Sequence, residues 1–287
     1  MTKPAFDPAA LRAFSASYPE APMLLNHQLA DHPLLALDAL VDLAGRIRPI
    51  DCEYNRGDLP VGIDPKDTPT NGLSAAETIR SIEECGSWMV LKFVEQDPIY
   101  RELLRETLGE LEAAVRPSTG AMLKQEAFIF ISSPDAVTPF HFDPEHNILL
   151  QIRGRKTMTV FPAADETLVP GEAHENFHNG GHRNLEWKDS FAEHGKRFSL
   201  EPGAALYVPV KAPHWVKNGA EVSVSFSVTW RSEWSFREEY ARRMNALLRK
   251  AGLDPASPGR FPHQNRLKSL GYRVINKARH VAGRSPE

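Results

Sequence analysis

The sequence predicts a mainly β fold with flanking helices: a jelly-roll-like barrel in the middle, a helical N-terminal region and a helical C-terminal extension. Three observations predict it. From Met122 onward the hydrophobic period is two, in segments rich in β-branched and aromatic residues: MLKQEAFIFIS, VTPFHFD, NILLQIRG, KTMTVFP, AALYVPV and EVSVSFSVTW. Turn residues separate these segments at short intervals, which indicates a sandwich or small barrel rather than a parallel α/β sheet. On either side of them, apolar residues recur at helical spacing. The boundaries read 1–120 as a mostly helical region packing on the barrel, 121–231 as the β core with an insert at 162–200, and 232–287 as a basic helical extension.

Taken in order, residues 7–48 read as helical. Asp7 caps a first short helix with Pro8 at its first position. Leu34, Leu35, Leu37, Leu40, Val41 and Leu43 then form a helical stripe ended by Gly45. His27 and His32 flank it as packing or capping residues. Residues 49–72, rich in Pro, Gly, Asp and Asn, read as a long loop, either surface or a lid on the substrate side with Tyr54, Asn55 and Arg56 in reach. Ser74 and Glu77 form a capping box. An apolar run of Trp88, Met89, Leu91 and Phe93 follows, then a helix from Pro98 that closes before Pro117.

A chain of 287 residues with 41% hydrophobic and 25% charged residues is an ordinary soluble globule large enough for a sizeable core. The net charge of −3 implies no global attraction to nucleic acid or membrane, and no apolar run reaches the length of a membrane span. Residues 231–287 carry 13 Lys+Arg against 5 Asp+Glu, net +8, which leaves −11 on the preceding 230 residues. Two cysteines, Cys52 and Cys85, make no disulfide framework and suit a reducing cytoplasm, the expected location.

The chemistry centres on Thr138–Lys156, TPFHFDPEHNILLQIRGRK. Residues two apart on a strand share a face, so His141 and Asp143 present an imidazole and a carboxylate side by side while Phe142 turns to the core. Seventy-three positions after His141, the run AALYVPVKAPHW delivers His214. Two histidines and one carboxylate on one side of a metal leave the opposite positions open, the facial triad of non-haem Fe(II) oxygenases. Gly154 permits a tight hairpin before Lys156, and Lys156, Met158 and Val160 share a face read as inward. Of two readings for His146, a fourth group near the metal or a side chain aimed outward by the Pro144–Glu145 turn, the second is preferred.

These residues resemble the JmjC and cupin-like 2-oxoglutarate oxygenases, in particular the asparaginyl hydroxylase of hypoxia-inducible factor and its bacterial relatives. The shared pattern is T-P-x-H-x-D, an Asn six and a Lys fifteen after the first His, and a distal His. Here these are Thr138, Pro139, His141, Asp143, Asn147, Lys156 and His214, over roughly residues 120–231. The resemblance implies a double-stranded β-helix core. It implies Fe(II) held by His141, Asp143 and His214, O2 as oxidant, and 2-oxoglutarate as cosubstrate with its far carboxylate on Lys156 and Thr138. It implies homodimerisation through the C-terminal helices. Where the relatives place a late-strand Asn on the cosubstrate, this chain has Ser225, Ser227 or Thr229, with Ser227 the preferred candidate beside Asn147. Arg231 is the alternative cosubstrate cation; the spacing from His141 favours Lys156.

The insert holds a second motif. His174-Glu175-Asn176-Phe177-His178 matches the zinc metalloprotease pattern H-E-x-x-H. Pro170-Gly171 before it and Asn179-Gly180-Gly181 after it leave two turns at most and no apolar face, so a surface loop or active-site rim is expected. The C-terminal stripe Phe236, Tyr240, Met244, Leu247 and Leu248 reads as core or a dimer face, and the basic residues after it as a solvated face. Two other functions compete with an oxygenase: a cupin-type metal-binding protein or isomerase that does not use 2-oxoglutarate, and a non-enzymatic module binding an anionic partner through the basic tail. The substrate, protein side chain or small molecule, does not follow from the sequence.

Overall fold

The computed structural model describes residues 3–57, 61 and 69–281. The elements run α1 Pro8–Ser17, β1 Met23–Asn26, α2 Leu37–Ala44, β2 Cys52–Arg56, α3 Ala75–Arg80, β3 Ser87–Lys92, α4 Pro98–Gly109, α5 Glu112–Thr119, β4 Met122–Ser132, β5 Val137–His141, β6 His146–Arg153, β7 Lys156–Val160, α6 Gly171–His178, β8 Lys196–Leu200, β9 Ala204–Val208, β10 His214–Asn218, β11 Ser223–Ser232, α7 Glu233–Lys250 and α8 Arg266–Val281. The strands form two antiparallel sheets, β1-β9-β6-β11-β4-β3-β2 and β5-β10-β7-β8. They face each other as the jelly-roll core expected from the period-two segments.

Local chemistry sets the helix starts. Asp7 accepts from Ala10 N at 2.7 Å with Pro8 following it, and the Ser74–Glu77 capping box forms. Ser232 and Ser235 cap α7 in the same reciprocal way. The expected single helix from Pro98 is instead two, α4 and α5, and the second carries Pro117 within its last turn.

Strand parity divides the large sheet into two faces. One face, with Ile129, Ile131, Ile148, Leu150, Phe226, Val228 and Trp230, packs on the N-terminal helices. The other, with Leu149, Leu206 and Val208, meets Met158, Val160 and Val216 of the small sheet inside the barrel. A third cluster, around Phe140, Phe142 and Phe161, lies under the insert.

The helical reading of the N-terminal region missed three strands. Met23–Asn26 pairs with β9, and Cys52–Arg56 and Ser87–Lys92 extend the sheet beyond β4. Each is short and joins a partner far away in sequence, so local periodicity could not reveal it. β8 and β10 were likewise hidden, the first within the polar insert. Of the loop expected as a lid, residues 58–60 and 62–68 lie outside the described residues.

Gly154 sits between β6 and β7 at φ +67, and a Cβ there would lie 2.3 Å from the Val222 carbonyl oxygen. Gly154→Ala therefore combines left-handed strain with a backbone collision. It is expected to lower the unfolding free energy by ~2 kcal/mol or more, read by denaturant titration; an unchanged midpoint would refute the close approach.

Candidate metal and cosubstrate site

Register brings the three expected ligands together. β10 lies between β5 and β7, so His214 stands opposite His141 on one side and Val160 on the other. Asp143 follows β5 directly. His141 Nε2 and His214 Nε2 lie 3.9 and 3.7 Å from Asp143 Oδ2. Donor atoms of the three residues fall within 4.8 Å of one another, the one such group found among the described residues.

Each imidazole is oriented from behind. His141 Nδ1 is 2.7 Å from the Pro139 carbonyl and His214 Nδ1 is 2.9 Å from that of Ala212. A carbonyl only accepts, so each Nδ1 carries the proton and each Nε2 offers its lone pair, the arrangement in which histidines ligate metals. Asp143 is held in a matching way: the Arg183 guanidinium of the insert pairs with Oδ1, leaving Oδ2 towards the imidazoles. Burial and the adjacent His214 push the His141 imidazole down to about 3. Burial acts to raise the Asp143 carboxyl, but Arg183 and the two imidazoles outweigh it and hold it at about 2. His141 is thus neutral and Asp143 anionic over the working pH range, and with His214 Nε2 presented beside them the donor set suits a divalent cation. Because His141 binds its proton more weakly when folded, its contribution to the metal-free protein's stability falls as pH drops from 6.5 to about 3.

Lys156 lies across β10 from this group, opposite Asn218, on the inward face with Met158 and Val160. It is 6% exposed, and burial alone pushes its ammonium down to about 7. Among the described residues no carboxylate pairs with it. The sequence reading overlooked Asn218, whose buried Oδ1 has no hydrogen-bond partner there. Directly opposed side chains in an antiparallel pair are neighbours, so an unpaired cation and an unpaired amide oxygen share one corner of the barrel. Thr138 accepts from Trp88 Nε1 at 3.1 Å, which leaves its own proton available to donate. Asn147 and Ser227 meet on the facing sheet, Ser227 Oγ donating to Asn147 Oδ1 at 2.8 Å. Ser225 is engaged with Gln151 and Thr229 with the Glu126 carbonyl. Arg231, the alternative cation, is committed to Glu239 at 2.9 Å and to Ser235.

Two readings require correction. His146 is fully buried on the helix-facing side of the large sheet, stacked on Trp230 at 5.1 Å and bonded to Tyr207 and Ser232. It does point away from the three donors, but into the helix-packed core and not to solvent. The HExxH stretch is no surface loop: it forms α6, with His174, Glu175 and His178 buried against α7.

Residues 94–236 match the family described as the cupin-like domain. Residues 94–236 thus carry a cupin-like domain, and the relatives that part of the chain resembles are JmjC proteins. Its similarity to lysine-specific demethylase 8 of Xenopus tropicalis is 35% identity over 103 residues, 33% of this chain and 22% of that protein. Lysine-specific demethylase JMJ30 of Arabidopsis thaliana is 32% identical over 111 residues, 34% of this chain and 24% of that protein. JmjC domain-containing protein D of Dictyostelium discoideum is 35% identical over 103 residues, 32% of this chain and 21% of that protein. The matches thus span less than a quarter of these relatives. Among solved structures, E. coli ycfD aligns with 94% of this chain and 68% of its own at 19% identity, TM-score 0.49. No helix among the described residues is long and apolar enough to cross a membrane.

Proposed function

We propose that this cupin-like protein is an Fe(II)- and 2-oxoglutarate-dependent oxygenase that hydroxylates a protein side chain or a small molecule. The observation that carries the reading is the buried, unpaired Lys156 in the same barrel as the His141, Asp143 and His214 donors. An ammonium taken from water without an anion is costly, and a dicarboxylate seated between metal and Lys156 would supply the missing partner. A cupin without 2-oxoglutarate, the second reading, has no use for that charge.

The family uses Fe(II), 2-oxoglutarate and O2. His141, Asp143 and His214 would hold the iron, which with bound 2-oxoglutarate and O2 supplies the power to oxidise a C–H bond. The chain's own residues bind and orient. The Pro139 and Ala212 carbonyls keep both imidazoles in the ligating tautomer. Lys156 supplies a point charge to the far carboxylate and Thr138 a hydroxyl proton. Asn147, already accepting from Ser227, keeps its amide N–H groups for an oxygen acceptor. Lys156 and Asn147 are buried in the barrel, where a lower effective dielectric strengthens such contacts.

The names of the Xenopus and Arabidopsis relatives add methylated lysine to the substrates worth testing. The likeness to an asparaginyl hydroxylase rests on the motif alone. The same reading makes the protein a homodimer through its C-terminal helices, where Leu267, Leu270 and Val274 stand exposed on α8; light scattering on the purified protein tests this. The function itself is tested by anaerobic titration with Fe(II) and then 2-oxoglutarate. The expected result is a weak visible charge-transfer band on adding 2-oxoglutarate. Metal binding without that band would leave the second reading.

A further inference from the structure

The buried charges around α6 take no part in the site described so far. Lys211 is 1% exposed and holds a left-handed backbone conformation, φ +60, which a residue with a Cβ keeps only where its surroundings enforce it. Its N–H donates to the Asp143 carbonyl at 2.8 Å, and the chain reaches His214 three residues later. Its ammonium lies 2.6 Å from Glu238 Oε2 on α7, although off the hydrogen-bond axis. Glu238 Oε1 accepts from Arg242 Nε at 2.8 Å.

The inserted helix closes the cluster from the other side. His174 packs on Phe142, the residue between His141 and Asp143, with ring centroids 4.6 Å apart. Glu175 of α6 pairs with Arg249 of α7 at 3.0 Å. The cluster is not a second metal centre: two cations, Lys211 and Arg242, share the space with His174 and His178, and among the described residues no trio of donors converges there as at the first site. An ionic cluster so buried is expensive to desolvate, and apolar side chains would hold two helices together at less cost. What a charged pair adds is a defined position for each partner.

We propose that the Lys211–Glu238 pair is a buried latch by which α7 fixes the turn carrying His214 and the strand end carrying Asp143. Lys211 and Glu238 are then positioning residues of the metal centre, an inference that rests on the oxygenase reading above. The C-terminal helix becomes part of the metal site without contributing a ligand.

The test is Mn(II) binding to the full chain, followed by electron paramagnetic resonance, with amide hydrogen exchange on the metal-free protein. Lys211→Gly keeps a residue at ease in the left-handed turn but removes the latch, and Glu238→Gln removes it from the other side. Each is expected to weaken Mn(II) binding about 10- to 100-fold and to speed exchange at residues 210–214. Asp97→Asn breaks the buried end of the Arg46–Asp97 pair in the N-terminal helices and lowers stability without moving Mn(II) affinity. Wild-type affinity in both latch variants would overturn the proposal. A wild-type protein that binds no Mn(II) would overturn the metal reading instead. If neither latch variant folds, wild-type exchange decides: a Lys211 amide as slow as the core of β11 supports the latch, and one as fast as the exposed loops overturns it.

Discussion

Lys156→Met is expected to weaken 2-oxoglutarate binding by about one to three orders of magnitude or more and, at the same time, to make the metal-free protein more stable. Both effects have one cause. The ammonium is buried without a partner, so the folded chain bears its desolvation until a dicarboxylate arrives. Removing one member of a buried charge pair costs about 2–5 kcal/mol of binding, a loss of roughly 30-fold to several thousand-fold. Exchanging an uncompensated buried charge for an apolar side chain of similar length stabilises by on the order of 1–4 kcal/mol. The two effects also differ in pH dependence. Lys156 is held at about 7 when folded against an ordinary 10.5. Between those values the unfolded chain binds more protons, and the stability of the metal-free protein rises with pH. Lys156→Met should flatten the slope by the Lys156 share. Thermal melts from pH 7 to 10 and a 2-oxoglutarate titration of the Mn(II) form check both halves. A variant that melts lower and still binds 2-oxoglutarate would show that Lys156 faces something other than a carboxylate.

The second large effect is expected at His214. His214→Ala removes one of three donors and should weaken metal binding by more than roughly 100-fold, beyond the range typical of residues that only support a ligand. The ring is 2% exposed, so some stability is lost as well, typically ~1–3 kcal/mol for a buried truncation of this size. Separating the two losses requires a metal titration at a temperature where circular dichroism shows the variant folded. Retained Mn(II) affinity would exclude His214 as a ligand.

The readable parts of the site were those in which chain direction and strand parity do the placing. His141 and Asp143 flank Phe142, and alternation alone puts the pair on one face and the ring in the core. Lys156, Met158 and Val160 follow the same logic along β7. What stayed hidden depended on distant partners. The Pro144–Glu145 turn was read as aiming His146 outward, and it does face away from the three donors, but the N-terminal helices behind the sheet make that direction core and not water. The two turns around His174 have no apolar face of their own because α7, some sixty residues later, covers them. Asn218 was passed over because its meaning comes from facing Lys156, a register that follows from β10 lying between β5 and β7.

That register also sets an order of events during synthesis. His141 and Asp143 leave the ribosome about seventy residues ahead of His214, and Glu238 follows later still. At translation speeds of about 5–20 residues per second, the first two donors wait roughly 4–15 s for the third. During that interval the nascent chain offers an incomplete set of donors, with neither β10 nor α7 in place to hold them. A complete set of donors therefore exists only once β10 has been made, and its support from α7 only later still.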